Sequence, residues 1–259
     1  KKADLTIAVF EVPKEETYRF GVLKIDEKNK VIDFVEKPQV PLTSPFNPSV
    51  CLISMGVYIF NTEILVKRVI EDAKNLDSSH DFGKDVIPKM VKKDNVYAFN
   101  FIDENNKESK YWRDIGTIEA YYQANMELLE IEPILNLYDK NWPIMTYKSN
   151  DPPAKVVFLG RNIDILNSLI SDGSIISGSS IYNSIISPNV KIEKGSEIFD
   201  SIIMNNVFIG KNCKIKRAII DKNSVISDNT MIGYNIEEDK KRFFVSKSNI
   251  VVIPRGIKI

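Results

Sequence analysis

Asn167-Ser-Leu-Ile-Ser171, Asn183-Ser-Ile-Ile-Ser187, Asp200-Ser-Ile-Ile-Met204 and Arg217-Ala-Ile-Ile-Asp221 are four versions of one phrase, set 16, 17 and 17 residues apart. Within and between them a six-residue step recurs: Ile170 and Ile176, then Ile186, Ile192 and Ile198, then Ile203, Ile209 and Ile215, then Ile220, Ile226 and Ile232. A helix needs apolar residues three and four apart. Six-residue steps in groups of three describe short strands joined by corners, a triangular prism with one aliphatic side chain per face pointing inward. The stretch Leu169 to Gly233 therefore reads as a parallel β-helix. Gly173, Gly178, Asn189, Gly195, Gly210, Asn212, Asn223, Asn229 and Gly233 punctuate it, residue types that tolerate the left-handed backbone of a tight corner. Each buried isoleucine contributes roughly 1.5–3 kcal/mol before chain entropy is subtracted.

The rest of the chain differs. With 259 residues and 43% hydrophobic content there is material for two ordinary domains with real cores. Thirty-five basic and thirty-five acidic side chains cancel, so no global field recruits nucleic acid or an anionic membrane, and any anion site must be local. Cys51 and Cys213 suit free thiols in a reducing compartment better than a disulfide. No apolar run approaches the ~20 residues of a membrane helix, and Lys1-Lys-Ala-Asp-Leu5 has no signal-peptide character. A cytoplasmic protein is expected. The chain opens without methionine, in what reads as a strand, which suggests a fragment or a processed chain.

Residues 1–131 alternate strand and helix signals, an α/β pattern. Leu5–Val12, Phe20–Ile25 and Lys30–Glu36 read as strands, the last two joined by a hairpin turn at Asp26-Glu-Lys-Asn29. Met55–Phe60 is a further strand, and Val96–Phe101 another. Helices are expected at Thr62–Ala73, with Ile64, Leu65, Val69 and Ile70 on one stripe, at Asp85–Val91 and at Thr117–Ile131. Residues 132–155 lose periodicity and gain prolines, which reads as a linker before a β-helix domain over 156–259. Gln39–Pro48 reads as a long loop beside whatever site its neighbours form.

Two motifs carry chemistry. Phe34-Val-Glu-Lys-Pro38 ends a strand, one hairpin after Phe20-Gly21, and Ser54-Met-Gly56 opens the next. A glutamate can hold sugar hydroxyls, and a lysine is a compact charge for a phosphate. Alone, Glu-Lys-Pro is a weak signal and reads first as a solvated charge pair before a loop. Tyr111-Trp-Arg-Asp-Ile-Gly-Thr117 places a carboxylate that can ligate a hard cation such as Mg²⁺, or that simply caps the helix at Thr117. His80, the sole histidine, reads as a hydrogen-bonded structural residue.

The combination of Phe-Gly-Val, Val-Glu-Lys-Pro, Ser-Met-Gly-Val-Tyr, Ser78-Ser-His-Asp-Phe-Gly-Lys-Asp85, Tyr-Trp-Arg-Asp-Ile-Gly-Thr and Tyr138-Asp-Lys-Asn-Trp-Pro-Ile144, followed by hexapeptide repeats, closely resembles the bacterial ADP-glucose pyrophosphorylases, the glucose-1-phosphate adenylyltransferases. The resemblance runs along the whole chain in order. It implies a partial Rossmann-like nucleotidyltransferase domain followed by a left-handed β-helix, and a reaction of glycogen or starch synthesis. In it, glucose 1-phosphate attacks the α-phosphorus of ATP and pyrophosphate leaves. Lys37 is then expected on the phosphate of glucose 1-phosphate, Gly21 and Glu36 at the glucose ring, Ser54 as a neighbouring polar contact, and Asp114 on Mg²⁺. Lys37 and Asp114 would be the catalytic pair. Lys222 and Arg255 match the places where the family binds phosphorylated sugar or sugar-acid effectors, and the family's assembly is a homotetramer.

One departure stands out: the amino-terminal half of the family, with its Gly-rich nucleotide loop and second metal aspartate, is not found in this sequence. The 259-residue chain alone is expected to be inactive. Three rivals remain. A hexapeptide acyltransferase normally uses a β-helix histidine, and the repeat has none. A non-catalytic regulatory subunit is disfavoured by the retained Lys37 and Asp114. Another sugar-1-phosphate nucleotidyltransferase would differ in base and sugar.

Overall fold

The computed structural model describes residues 2–40, 49–102, 111–141, 143–146, 149–158 and 164–259. Most of the Gln39–Pro48 loop, and Trp142 of the Asn-Trp-Pro motif, lie outside the described residues. Two compact units divide between Trp112 and Arg113.

In the first unit five strands form one sheet: β1 (Leu5–Pro13), β2 (Gly21–Ile25), β3 (Val31–Glu36), β4 (Val50–Phe60) and β5 (Val96–Asn100), in the order β3-β2-β4-β1-β5. Only the β1–β5 pair is parallel. The hairpin forms where expected: the Asp26 carboxylate accepts from the amides of Lys28 and Lys30 at 2.9 and 2.8 Å, and Asn29 takes the left-handed φ of 62°. Alternation decides the buried face, with Leu5, Ile7 and Val9 inward together with Leu23, Phe34 and Val96. Ile87 and Met90 of α2 (Ile87–Lys93) close over them.

Helix α1 (Thr62–Ala73) has the expected bounds but not the expected stripe. Ile64 packs on the core, whereas Val69 and Ile70 are exposed. The inward line is instead Ile64, Arg68 and Asp72, four residues apart, so the helix is seated by charge. Arg68 reaches both oxygens of Asp94 at 2.8 and 2.6 Å. The helix expected from Asp85 starts at Ile87, because Phe82–Val86 forms a single π-helical turn in front of it.

The second unit is the solenoid. Its strands stack into three sheets, and the inward isoleucines sit in register from coil to coil, as in Ile181↔Ile198 and Ile198↔Ile215. This parallel β-solenoid of about four turns is consistent with the left-handed form. Ile165 and Ile181 belong to the inner rows too; Ile181 follows Ile176 by five residues where the later coils have six, which hides it from a six-residue reading. Corner side chains form ladders: Asn183 donates to Asp200 at 2.7 Å, Asn206 to Asn223 at 3.0 Å and Asn212 to Asn229 at 3.3 Å. The corner set is also wider than the glycine and asparagine list, since Asn167, Asn183, Asp200, Asn206 and Arg217 all have φ between 46° and 59°. Gly210 is not left-handed.

The doubled isoleucines of the repeat have a structural reason. In Ser201-Ile-Ile203 and Ala218-Ile-Ile220 the second isoleucine points into the prism and the first points out, and Ile202 and Ile219 are nonetheless buried. They lie under α3 (Ile118–Met126), whose Tyr122 packs on them and donates its hydroxyl to the Asp200 carbonyl at 2.6 Å. A strand apolar on both faces is a strand covered on both faces. One further helix, α4 (Ile236–Arg242), was not anticipated; Asn235 caps the Glu238 amide at 3.3 Å and the buried Asp239 accepts from Gly233 at 2.8 Å. Both cysteines are buried free thiols. No helix among the described residues is long and apolar enough to cross a membrane.

Candidate functional site

The register of the β2–β3 hairpin sets Gly21 directly across from Glu36. One residue further the strand breaks: the Lys37 amide donates to the Phe20 carbonyl at 2.9 Å while Lys37 itself adopts a φ of 49°. A lysine in the left-handed region costs about 1 kcal/mol or more, and the turn aims its ammonium outward. Its side chain is 57% exposed against 22% for Glu36, and the two charges stand 3.8 Å apart.

Around the Glu36 carboxylate the backbone comes close from two directions. A Cβ at Gly21 would lie 2.8 Å from Glu36 Oε2 and 2.5 Å from the Phe34 ring, and a Cβ at Gly83 would lie 2.6 Å from the same oxygen. Glycine at both positions is what lets the backbone close on the carboxylate from two sides. Burial pushes the Glu36 carboxyl above its usual range; Lys37 opposes that shift, Asp81 adds to it and Lys84 opposes it. Ser54 enters through an irregularity in β4. Ile7 pairs with Tyr58 but Val9 with Ser54, so the strand carries a bulge at 55–57, with Gly56 at φ 72°. Ser54 Oγ accepts from the Gly56 amide at 3.3 Å and lies 3.2 Å from the Tyr58 hydroxyl. Burial raises the Tyr58 hydroxyl pKa; the Ser54 hydrogen bond counters it, and the Glu36 and Asp81 carboxylates add to it. Trp112 packs on Phe10 and Phe20, with ring centroids 5.7 and 5.9 Å away, behind the start of β2.

In this unit Gly21, Glu36, Lys37 and Ser54 are thus gathered, with Tyr58, Asp81, Gly83 and Lys84 beside them. The last four were not singled out from the sequence as site residues. The signal for three of them was the Ser-Ser-His-Asp-Phe-Gly-Lys-Asp segment; nothing in its composition says it turns back onto Glu36. His80 has the hydrogen-bonded role expected, with Nδ1 3.0 Å from Asp72 Oδ2.

Asp114 belongs to the second unit. Its carboxylate accepts from the Gly116 amide at 3.1 Å, and the cap of α3 is Thr117, whose hydroxyl accepts from Ala120 at 3.1 Å. The capping alternative for Asp114 therefore falls away. Among the described residues no three His, Cys, Asp or Glu side chains gather as a metal cluster; Asp114 offers one hard oxygen donor. In the same unit Lys222 and Arg255 line one cavity of about 470 Å³, with Tyr121, Asn125 and Asp221 also on its wall.

Comparison with known proteins adds the family. Residues 1–131 match the family described as Nucleotidyl transferase, and residues 152–253 match GlmU-like, C-terminal hexapeptide. The chain belongs to the nucleotidyl transferase family. Among relatives of this nucleotidyl transferase, the glucose-1-phosphate adenylyltransferase of Koribacter versatilis is 45% identical over 99% of this chain and 62% of its own length. That of Anaeromyxobacter dehalogenans is 48% identical over 100% of this chain and 65% of its own. The glucose-1-phosphate adenylyltransferase 2 of Vibrio vulnificus is 52% identical over 98% and 64%.

The chain thus spans about three-fifths of the length of the curated relatives it matches. A matched share of that size does not support the expectation of a missing half.

Proposed function

We propose that the chain supplies the sugar-phosphate site of a glucose-1-phosphate adenylyltransferase, the reaction in which a phosphate oxygen of glucose 1-phosphate bonds to the α-phosphorus of ATP as pyrophosphate departs. One observation carries the reading: a largely buried carboxylate walled by two glycines stands beside an outward-aimed ammonium. Glu36 accepts from glucose hydroxyls, with the backbone at Gly21 and Gly83 walling it on two sides. Ser54, tied to Tyr58, adds a polar contact. Lys37 holds the phosphate as a point charge and orients its oxygen for in-line attack, the kind of work positioning and charge neutralisation perform in phosphoryl transfer. The oxygen chemistry of Asp114 fits Mg²⁺ as one ligand among several; when bound, such a cation neutralises phosphate charge. Lys37→Ala in the complete enzyme is expected to weaken glucose 1-phosphate use by roughly a hundredfold while sparing ATP use. Equal losses for both substrates remove Lys37 from this role, and faster transfer from GTP, UTP or dTTP than from ATP assigns the enzyme to another sugar nucleotide.

The second cavity supports a regulatory reading. Two cations, a tyrosine and an asparagine on one wall suit a phosphorylated sugar or sugar acid, with Lys222 and Arg255 on its anionic groups. A homotetramer is the assembly proposed with it. Lys222→Glu with Arg255→Glu should abolish the activator response; an unchanged response withdraws the assignment.

A further inference from the structure

The Asp72 carboxylate touches no part of the proposed substrate site, yet three segments meet on it. Ser78 Oγ donates to its two oxygens at 2.9 and 2.8 Å, Lys89 Nζ at 2.8 Å, and His80 Nδ1 lies 3.0 Å away. Asp72 is on α1, Lys89 on α2, and Ser78 and His80 on the turn between them. From there the turn is tied to itself up to the slot: Ser79 Oγ donates to Asp85 at 2.6 Å, the Asp81 amide to the same carboxylate at 3.2 Å, and the Lys84 amide to Asp81 at 2.9 Å. Between the last two partners sits Gly83, against Glu36. His80 is held at φ 59° in the process, a strain that persists only where neighbours over-determine it.

Stability alone is a poor reason for this arrangement. A carboxylate only 5% exposed on the inward line of a helix is a place where an aliphatic side chain would bury well, and ion pairs out of water often do no better than such replacements. Lys89 first, then His80 and Ser78, hold the Asp72 carboxyl down at about 2, so it is charged and needs its partners at any physiological pH.

We infer that Asp72 is a positioning residue for the sugar-phosphate pocket: by gripping Ser78, His80 and Lys89 it fixes the 78–85 turn so that Gly83 forms the second wall of the Glu36 slot. As a statement about glucose this rests on the reading of Glu36 given above; as a statement about the slot it does not. The experiment uses Asp72→Asn and His80→Ala in the 259-residue chain, the second removing a single contact from an exposed ring. Three quantities are measured: amide exchange over residues 78–85, the titration of the Glu36 carboxyl followed by ¹³C NMR, and the affinity for glucose 1-phosphate. Both variants should speed exchange in the turn and bring the Glu36 titration down toward an ordinary glutamate. Where the parent chain binds the sugar phosphate, both should weaken it roughly ten- to a hundredfold, and Lys89→Arg, which keeps the charge on Asp72, should retain it. An unchanged Glu36 titration in His80→Ala overturns the inference, even if Asp72→Asn fails to fold. A shifted titration in a chain whose parent form ignores glucose 1-phosphate leaves the clamp standing and overturns the substrate reading instead.

Discussion

Both units hold non-glycine residues in the left-handed region, but for different reasons. In the solenoid they are mostly asparagines, among them Asn183, Asn189, Asn206, Asn212, Asn223 and Asn229, at φ between 47° and 63°. The backbone demands the conformation there, asparagine tolerates it best, and amide ladders from coil to coil offset its cost. In the sheet unit the same conformation falls on one turn asparagine, Asn29, and also on Lys37 and His80. Lysine does not favour it, so at Lys37 the choice is made by what the side chain must reach. Arg217 shows the rule inside the solenoid itself. It takes the corner position of Asn183 and Asp200, and its side chain donates to the Ser248 carbonyl at 3.0 Å and lies over the Tyr122 ring at 5.6 Å. Residue type follows backbone where the chain repeats, and backbone yields to residue type where a particular side chain is used.

The units also differ in how they enclose their cores. Isoleucines of the prism are shielded on every side, whereas the sheet buries its second face only in part, at Val12, Val22, Cys51 and Ile53, and leaves Ile59, Val57 and Phe99 exposed. The largest expected effect exploits this. Ile209→Asp places a charge in the closed prism and should cost several kcal/mol, unfolding the solenoid. Ile59→Asp in the same 259-residue chain should change stability by no more than about 0.5 kcal/mol. Urea unfolding followed by circular dichroism reads both, and comparable losses would erase the contrast.

A smaller test compares two glycines with similar positive φ. At Gly233, φ 80°, an added Cβ would fall 1.8 Å from the Lys216 carbonyl oxygen of the coil beside it; at Gly56, φ 72°, it would meet nothing within 4 Å. Gly233→Ala should therefore cost about 3 kcal/mol or more, strain and collision together, and Gly56→Ala about 1 kcal/mol from strain alone. Equal melting midpoints for the two variants would mean that coil stacking is looser than its ladders indicate.

Legibility divides along the same line. The prism could be read from Ile186, Ile192 and Ile198 onward because the same environment returns every coil, and each return repeats the same side chain. Where a coil shortens, at Ile181, the period failed although the packing did not. The doubled isoleucines of 202–203 and 219–220 carry the signal of a covered outer face, which a reading of one inward side chain per face passed over. Helix α4 left a usable signal, an Asn235 cap with Glu238 three residues on and acidic then basic turns, which a reading bound to the repeat passed over. In the sheet unit the hairpin and most strands were legible, although β4 begins at Val50, five residues before the expected Met55, and Gly21 was placed only one hairpin from Glu36 and not across from it. Tyr58 and Gly83 were not legible. They reach the slot through a bulge and a π-helical turn, departures from regular geometry that periodicity cannot encode.

The smallest predicted effect separates the two carboxylates that the sheet unit sets to opposite uses. Asp72, held low by its partners, stabilises the fold above its ordinary value of 3.8, a contribution lost as pH falls through about 2. Glu36 has the other sign. Burial raises its folded pKa above the ordinary 4.5, so the ionised form is less at ease folded than unfolded; the penalty is complete above the raised value and absent below 4.5. Glu36→Gln should then raise the melting midpoint of the sheet unit at pH 7 by about one or two degrees, solvent screening keeping the gain small, and the gain should vanish at pH 4. A gain of the same size at both pH values would trace it to packing and not to charge. If the gain follows pH, the slot holds a carboxylate that the fold would be more stable without, and a side chain retained at such a cost is retained for what it binds.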